Sequence, residues 1–298
     1  MSIVITTPTG QIGGQVASTL IAAGADVRLL ARDAARLPDA LRGAAEVREG
    51  SLQDAAFLRD ALTGASALFL LIPPDLSAAD WAASQLGIGR AAADAVRANG
   101  IQRVVLVSSQ GADRDDLFAI SHVGQVERML QAVAPNVVSL RAGFFFENFL
   151  SAVPTIAGHG AIYMRLAPEA RTAMVATRDI AATAARYLQE TTWTGHHAVG
   201  VDGPADLSFA EAAAAIGRAL GSDVRYVQAT REQTIGALLG AGASEHVATE
   251  YTAMFEAMEA SGFARLPRTA ESTTPTTLEQ WAAEVLAPAV RSAALVPA

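Results

Sequence analysis

The chain has 298 residues, of which 51% are hydrophobic and 17% are charged, and its formal net charge is −8. This composition supports a large buried core, and the negative charge argues against nucleic acid or an anionic membrane as a partner. The sequence contains no cysteine and no lysine, which excludes disulfides, thiolate nucleophiles and any mechanism that needs a lysine amine. We see no signal-peptide pattern and no apolar run of about 18 residues, so we expect a cytoplasmic protein.

Short apolar strands alternate with helical patterns over residues 1–145. The hydrophobic pattern predicts six strands, at residues 3–6, 27–31, 45–48, 67–72, 103–108 and 137–142. Helical spacing follows the first strand, Asp54 is expected to cap the helix after the third, and residues 77–99 and 122–133 are predicted as further helices. Apolar strands with helices between them are typical of a parallel sheet that is covered on both faces. We therefore predict an α/β fold, a doubly wound Rossmann sheet whose ligand lies beyond the carboxyl ends of the strands.

The second half of the chain has a different pattern. Residues 178–188 are predicted as a helix, and residues 197–201 as a strand that rejoins the main sheet. Ser208 and Glu211 have the spacing of a capping box, residues 224–227 are predicted as a strand, and helical patterns continue to about residue 285. We predict an NADP-binding Rossmann domain over residues 1–145, with about 172–203 returning to its sheet. Residues 146–171 and 204–298 are then a smaller C-terminal α/β domain on the substrate side.

The segment between the first strand and the first helix is rich in glycine. It reads Thr-Pro-Thr-Gly-Gln-Ile-Gly-Gly over residues 7–14. A pyrophosphate needs close backbone approach and free amides at a helix N-terminus, and Gly10 and Gly13 allow that approach. Thr7 stands where the strict dinucleotide fingerprint has a glycine, so the loop is a variant of it. We predict that a dinucleotide binds at this loop; an ordinary glycine-rich turn is the alternative.

The end of the second predicted strand carries a cation. Arg32 follows this strand directly, Asp33 comes next, and Arg36 lies one turn further on. NAD-dependent proteins tend to place an acidic residue here for the ribose hydroxyls, whereas an arginine accommodates the 2′-phosphate of NADP. A guanidinium fork suits a phosphate better than a hydroxyl. We therefore predict NADP(H) as the cofactor, with Arg32 as the main discriminator and a solvated surface charge as the alternative.

These and later motifs resemble those of a known family. The Thr-Gly-Gln-Ile-Gly loop at residues 9–13, the Leu-Ala-Arg-Asp strand end at 30–33 and the Phe-Glu-Asn-Phe run at 146–149 are similar to the NmrA-like family. That family belongs to the atypical short-chain dehydrogenases/reductases. Residues 177–182 and 195–221 fit the same pattern, so the resemblance covers nearly the whole chain. Within the family, the chain resembles the type 2 NAD(P)H:quinone oxidoreductases.

The resemblance implies which residues contact the cofactor and the substrate. The glycine-rich loop and Arg32 are expected at the phosphates, and Ile72 and Pro73 near the ribose and nicotinamide. The implied cofactor-binding set is Thr7, Thr9, Gly10, Gln11, Ile12, Gly13, Arg32, Ile72, Pro73, Ser108, Ser109, Gln110, Gly143 and Phe144. The implied wall for a flat substrate, for which plain core packing is the alternative, is Phe145, Phe146, Asn148 and Phe149.

The catalytic machinery of ordinary short-chain reductases is missing from this sequence. Those enzymes use a Tyr-x-x-x-Lys pair, but here the tyrosines lie at 163, 187, 226 and 251 and there is no lysine. A quinone accepts hydride readily, and hydride transfer is the chemistry of the cofactor itself, so this loss is tolerable for a quinone. His122 is the candidate proton donor or substrate-polarising group, with a solvated or capping histidine as the alternative. We predict no metal site.

Three functions remain open from the sequence. The first is an NADPH-dependent oxidoreductase that transfers hydride to a quinone or a similar small electrophile. The second is a regulator of the NmrA type, which senses redox state by binding NADP(H) without turning it over. The third is a reductase of a C=C or C=N bond in a biosynthetic pathway. We expect a small-molecule substrate, no nucleic acid or membrane partner, and a monomer or homodimer.

Overall fold

A computed structural model describes residues 2–262 and 265–295. Within these residues, twelve strands are formed: β1 Ser2–Thr6, β2 Val27–Ala31, β3 Glu46–Glu49, β4 Ala65–Leu70, β5 Arg103–Ser109, β6 Asn136–Ala142, β7 Phe144–Phe145, β8 Ala161–Met164, β9 Arg171–Val175, β10 Gly195–Val201, β11 Asp206–Ser208 and β12 Arg225–Gln228. The helices of the same residues are α1 Gln11–Ala22, α2 Asp39–Ala44, α3 Ala55–Ala61, α4 Trp81–Asn99, α5 Ala119–Gln131, α6 Val153–His159, α7 Thr177–Gln189, α8 Phe209–Leu220, α9 Arg231–Gly240, α10 Glu245–Ser261, α11 Leu278–Trp281 and α12 Ala287–Ala294. A π-helical segment, Ala282–Leu286, joins the last two, and Phe146–Ala152 is a 3₁₀ segment.

A parallel sheet of seven strands organises the first half of the chain. Its strand order is β10-β6-β5-β4-β1-β2-β3, and every neighbouring pair is parallel. The order reverses between β1 and β4, which is the place where doubly wound sheets bind their ligands. The predicted Rossmann-like α/β fold is therefore confirmed.

Helices cover the sheet on both faces, which explains why its central strands β1, β4 and β5 are mostly apolar and buried. On one face, Val16 and Leu20 of α1 and Ile180 of α7 pack against the sheet and are fully buried. On the other face, Leu58 of α3 and Val96 of α4 are buried with residues of α5. The sheet is thus held rigidly, and the loops at its carboxyl edge are positioned by a packed core.

The smaller part of the molecule has two short sheets. Strand β9 pairs in parallel with β7 and antiparallel with β11, while β8 and β12 form a parallel pair. A separate hydrophobic cluster includes Phe149, Phe209 and Trp281 and joins these strands to α8, α10 and the C-terminal helices. Ser208 and Glu211 form the predicted capping box at the start of α8, with reciprocal hydrogen bonds of 3.1 and 2.9 Å.

Several helices and strands begin or end at residues other than those predicted from the sequence. The helix predicted from residue 77 begins at Trp81 because the Asp80 side chain accepts a hydrogen bond from the amide of Ala83 and caps it. The strand predicted over 67–72 ends at Leu70, and the helix predicted over 122–133 begins at Ala119. Residues 265–277 are not helical, in contrast to the helical pattern predicted there.

The segment that was predicted to return to the main sheet contributes to both parts of the molecule. Of the segment 172–203, α7 and β10 return to the main sheet, whereas β9 pairs with β7 and β11 in the smaller part. Residues 263–264 and 296–298 of the predicted smaller domain lie outside the described residues.

No helix within residues 2–262 and 265–295 has both the length and the apolar character that a membrane crossing requires.

Candidate functional site

Two neighbouring cavities lie at the carboxyl edge of the main sheet. The first, here called the polar cleft, has a volume of about 680 Å³ and is lined by the β1–α1 loop, the ends of β2 and β3 and the β4–α4 loop. The second, here called the apolar cavity, has a volume of about 210 Å³ and lies between the β5 and β6 ends and α10. Phe145 lines both. A ligand in the cleft and a ligand in the cavity would therefore each lie beside this side chain.

The β1–α1 loop presents free amides to the polar cleft. Gly10 is the N-cap of α1, no side chain caps this helix, and its first turn contains no acidic residue. The first amides of a helix lack intrahelical partners, and the helix dipole favours an anion beside them. A Cβ on Gly13 would lie 2.4 Å from the carbonyl oxygen of Thr7, so only glycine allows this close approach of helix and loop. The loop fits a pyrophosphate group.

Thr7 is the strained position of this loop. Its φ of +53° lies in the left-handed region, which a β-branched residue rarely adopts. Its hydroxyl oxygen is enclosed and has no hydrogen-bond partner within the described part of the chain. Strain and an unpaired buried hydroxyl concentrate at ligand sites. Both features agree with a loop built to receive a polar ligand, and they explain why a glycine usually occupies this position.

Two arginine side chains in the cleft are available for an anion. Arg32 and Arg36 both line the cleft and are exposed, and neither makes an ion pair or side-chain hydrogen bond within residues 2–262 and 265–295. The carboxylates nearby have other partners, since Asp33 accepts a hydrogen bond from the amide of Ala35 and Glu49 accepts one from Ala34. The guanidinium groups are therefore free to bind a phosphate.

Glu147 closes the cleft at its other end. Its carboxylate accepts hydrogen bonds from the amide and hydroxyl of Thr177, at 3.0 and 2.7 Å, and from the indole nitrogen of Trp281 at 3.1 Å. The carboxylate thus lies at the N-terminus of α7, where a negative charge is favoured. The neighbouring Arg178 and Asp179 both bind Thr276, so this region joins α7 to the C-terminal helices. Glu147 orients these helices while it lines the cleft.

The apolar cavity has aromatic and thioether walls. Phe144 and Phe145 lie on one side, with Leu117 and Ile120 from the loop before α5 and its start. Helix α10 supplies the opposite wall through four side chains at helical spacing: Tyr251, Met254, Phe255 and Met258. Polar side chains in the lining are few: Ser109, Gln110, Asn148, Thr172, Ser261 and Arg265. Such a cavity suits a small flat molecule with one or two polar atoms.

The cavities bring together most of the residues that the sequence implicated. The polar cleft is lined by Thr7, Thr9, Gly10, Gln11, Ile12, Gly13, Arg32 and Pro73. The apolar cavity, rather than the cleft, is lined by Ser109, Gln110, Gly143, Phe144 and Asn148, while Phe145 lines both. A Cβ on Gly143 would lie 2.5 Å from the carbonyl oxygen of Ala173, so this glycine is required by strand packing. The roles of these residues toward a ligand stay predictions.

Four other predicted site residues line neither cavity. Ile72, Phe146 and Phe149 are buried in hydrophobic clusters, with 8%, 1% and 0% exposure. The proposed substrate wall at Phe146 and Phe149 is therefore core packing. Ser108 is also buried, and its hydroxyl donates a 2.5 Å hydrogen bond to Glu127, which is ion-paired with Arg141. These buried residues contribute to the site by supporting the residues that line it.

His122 does not face the apolar cavity. Its Nδ1 lies 3.0 Å from the Oε1 atom of Gln85 on α4, and its Nε2 lies 3.7 Å from a carboxylate oxygen of Glu250 on α10. Burial lowers the pKa of His122, so the ring is held neutral at the junction of α4, α5 and α10. This placement does not support the catalytic role that the sequence suggested for His122.

The sequence did not predict that α10 forms a wall of the apolar cavity. Residues 251, 254, 255 and 258 have the i, i+3, i+4, i+7 spacing of an apolar helix face. That spacing predicts a buried face, but it does not tell whether the face covers plain core or a cavity. The pairing of this face with Phe144 and Phe145 depends on the tertiary fold of the smaller part.

Comparison with known proteins gives the family. The model of the NmrA-like family matches residues 1–282. The chain belongs to the NmrA-like family. The NAD(P)H azoreductase of Xenophilus azovorans is 32% identical in sequence over a region that covers 80% of this chain and 81% of that protein.

Two solved structures have similar folds. An NADPH-dependent quinone oxidoreductase from Escherichia coli, crystallised with NADPH, superposes with a TM-score of 0.79 over 96% of this chain and 100% of that one, at 23% identity. The triphenylmethane reductase of Citrobacter sp., crystallised with NADP(H), superposes with a TM-score of 0.77 over 98% and 100% of the two chains, at 20% identity. At these identities the likeness concerns the fold of the family.

Proposed function

We propose that this NmrA-like protein is an NADPH-dependent oxidoreductase that transfers hydride to a quinone or a similar flat, conjugated electrophile. One observation carries the proposal. A cleft with open helix amides and two guanidinium groups that have no partner among the described residues lies beside a small aromatic cavity, and Phe145 lines both. Because the two cavities share the Phe145 wall, a dinucleotide in the cleft and an acceptor in the cavity would lie close to each other in this proposal, as direct hydride transfer requires.

The residues of the polar cleft account for each charged part of the dinucleotide. The free amides that follow Gly10 hold the pyrophosphate, and Gly13 permits its close approach. Arg32 and Arg36 hold the 2′-phosphate that distinguishes NADP from NAD. When bound, the reduced nicotinamide supplies a hydride, that is, two electrons and one proton.

The chain itself contributes binding and positioning in this proposal. The apolar lining around Phe144 and Phe145 holds a flat acceptor and excludes water from it. A quinone gains the hydride and one further proton from water to become a hydroquinone. No tyrosine–lysine pair is required, because the hydroquinone anion is stable enough to form before the proton is added.

The names of similar proteins support this class of acceptor. The relatives include an azoreductase, a quinone oxidoreductase and a triphenylmethane reductase. Azo compounds, quinones and triphenylmethane dyes are all conjugated ring-bearing electrophiles that accept a hydride. We therefore propose that the cavity selects acceptors by shape and conjugation, and that azo compounds are a second acceptor class for this protein.

The test is turnover of NADPH, followed by its absorbance, with 1,4-naphthoquinone, a simple azo dye and an unconjugated ketone. The proposal expects oxidation of NADPH with the first two acceptors and none with the ketone, and a lower rate with NADH. Substitution Met254→Trp, which fills the cavity wall, should reduce quinone turnover while NADPH still binds. Tight NADPH binding without turnover of any acceptor would contradict the proposal and favour a redox-sensing regulator.

A further inference from the structure

Tyr251 carries a hydroxyl group that has no hydrogen-bond partner in the described part of the chain. Among the tyrosines of the described residues, Tyr187 donates to Glu271 at 3.2 Å, Tyr226 donates to the carbonyl of Leu166 at 2.7 Å, and Tyr163 is 46% exposed. Tyr251 is half-buried and lines the apolar cavity, yet its hydroxyl makes no hydrogen bond with any described residue. An unpaired hydroxyl in an apolar wall costs free energy unless a ligand or water satisfies it.

The Tyr251 side chain forms part of the cavity wall. Its hydroxyl oxygen has no hydrogen-bond partner in the described part of the chain and is not fully enclosed by protein atoms. The ring is fixed from two sides, since it stacks on Trp81 with centroids 5.7 Å apart and meets Phe255 edge-on at 4.8 Å. These contacts prevent the ring from turning away, so the hydroxyl group is held at the cavity wall.

Most other polar groups of the cavity are already bound within the protein. The Gln110 amide donates to Asp202 at 3.1 Å and accepts from the amide of Leu266 at 2.9 Å, so both of its ends are engaged. The remaining engaged side chains and their partners are Ser109 with the carbonyl of Gln110, Thr172 with the carbonyl of Ala173, Ser261 with the carbonyl of Met258, and Arg265 with Asp206. Within the described lining, the Tyr251 hydroxyl and the Asn148 amide remain available to a ligand.

We propose that Tyr251 donates a hydrogen bond to the acceptor oxygen or nitrogen on which negative charge develops when the hydride arrives. This inference rests on the proposed function and assigns to it a catalytic residue that the sequence motifs do not reveal. The acceptor takes two electrons and a proton from the reduced nicotinamide dinucleotide and a second proton from water, while Tyr251 keeps its own. The residue thus acts as a preorganised donor, comparable in role to an oxyanion hole. The Asn148 amide is available to the second polar atom of the acceptor.

The ionisation of Tyr251 agrees with this role. Burial raises the pKa of its phenol above the usual value of 10.0. The phenol therefore remains a neutral donor at neutral pH.

Tyr251→Phe removes the hydroxyl and keeps the ring packed on Trp81 and Phe255. We expect kcat with 1,4-naphthoquinone to fall about 10- to 100-fold, because a donor to a developing anion is lost. The KM for the quinone and the Kd for NADPH should change less than about threefold, since ground-state binding is preserved. Tyr163→Phe, which removes an exposed hydroxyl elsewhere, is the matched control and should leave all three constants unchanged.

A second readout does not depend on turnover. The probe is 4-nitrophenol, whose anion is a flat aromatic oxyanion with its own absorbance, titrated into the complex with NADP⁺ across a range of pH. The wild-type protein should bind the phenolate and lower the apparent pKa of the probe, and Tyr251→Phe should abolish that shift. An unchanged kcat, or an identical shift of the probe pKa in both proteins, would overturn the assignment of Tyr251. Absence of turnover in the wild-type protein contradicts the proposed function instead, and the probe titration then decides on Tyr251 alone.

Discussion

Substitution of Arg32 by alanine tests how the polar cleft selects its dinucleotide. A hydrogen bond between charged groups contributes about 1.5–3 kcal/mol, and the exposure of the Arg32 side chain places its contribution at the low end. A loss of about 1.4 kcal/mol corresponds to a tenfold higher Kd for NADPH. The affinity for NADH, which lacks the 2′-phosphate, should not change. Because Arg36 lines the same cleft and is proposed to bind the same phosphate, Arg32→Ala combined with Arg36→Ala should raise the Kd for NADPH further than Arg32→Ala alone, and the two effects should not simply add.

The assay is a fluorescence titration of NADPH and of NADH into each variant at low ionic strength. Arg291→Ala is the matched control, because Arg291 is exposed, has no side-chain partner in the described part of the chain and lies outside the polar cleft. The preference for NADPH in the wild-type protein should shrink as salt is added, since exposed charges are screened. Equal loss of affinity for NADPH and NADH in Arg32→Ala, or no loss at all, would refute the assignment of Arg32.

Three further results are expected. Gly13→Ala should weaken NADPH binding and destabilise the fold by about 1–3 kcal/mol, because the added Cβ meets backbone oxygens. Calorimetry measures both effects. The control is Gly87→Ala, whose Cβ meets nothing within 4 Å. Glu147→Gln should lower the unfolding free energy by about 1–3 kcal/mol through its lost contacts with Thr177, as urea titration would show. Burial lowers the pKa of His122 below 6.5, so the unfolded chain binds more protons and stability falls as the pH drops below that value. His122→Asn should flatten this slope between about pH 5 and 7, and an unchanged slope would contradict it.

Much of the fold could be predicted from the sequence because many helices and strands are determined by residues that are close together in the chain. Strands β1, β2, β5 and β6 are rich in apolar residues and mostly buried, as expected of a sheet covered on both faces. The capping box at Ser208 and the cap at Asp54 likewise depend on residues a few positions apart. The errors in boundaries also have local causes, since Asp80 caps α4 later than the apolar pattern alone suggests.

The polar cleft was predicted better than the apolar cavity for the same reason. The cleft residues that the sequence implicated follow on β1, β2 and β4, so their positions are determined by the sheet order. The cavity instead combines Phe144 with side chains of α10, which are distant in sequence and meet only through the packing of the smaller part. An aromatic run gives no sign of which ring faces a cavity, and so Phe146 and Phe149 were assigned to the substrate wall although they are core.

His122 shows a further limit of sequence reasoning. Its position at the start of α5 suggested a group that reaches the substrate, but the helix turns the side chain toward Gln85 and Glu250. Conversely, Tyr251 belongs to no recognised motif. Its availability became visible only after the hydrogen bonds of the surrounding polar groups had been assigned.

A crystal structure grown with NADP⁺ and 4-nitrophenol tests the central claim most directly. The account predicts the pyrophosphate at the amides after Gly10, the 2′-phosphate beside Arg32, and the nicotinamide ring next to Phe145. The phenol ring should lie in the apolar cavity with its oxygen within hydrogen-bond distance of the Tyr251 hydroxyl. A nicotinamide ring that points away from Phe145, or a phenol ring bound outside the cavity, would contradict the account.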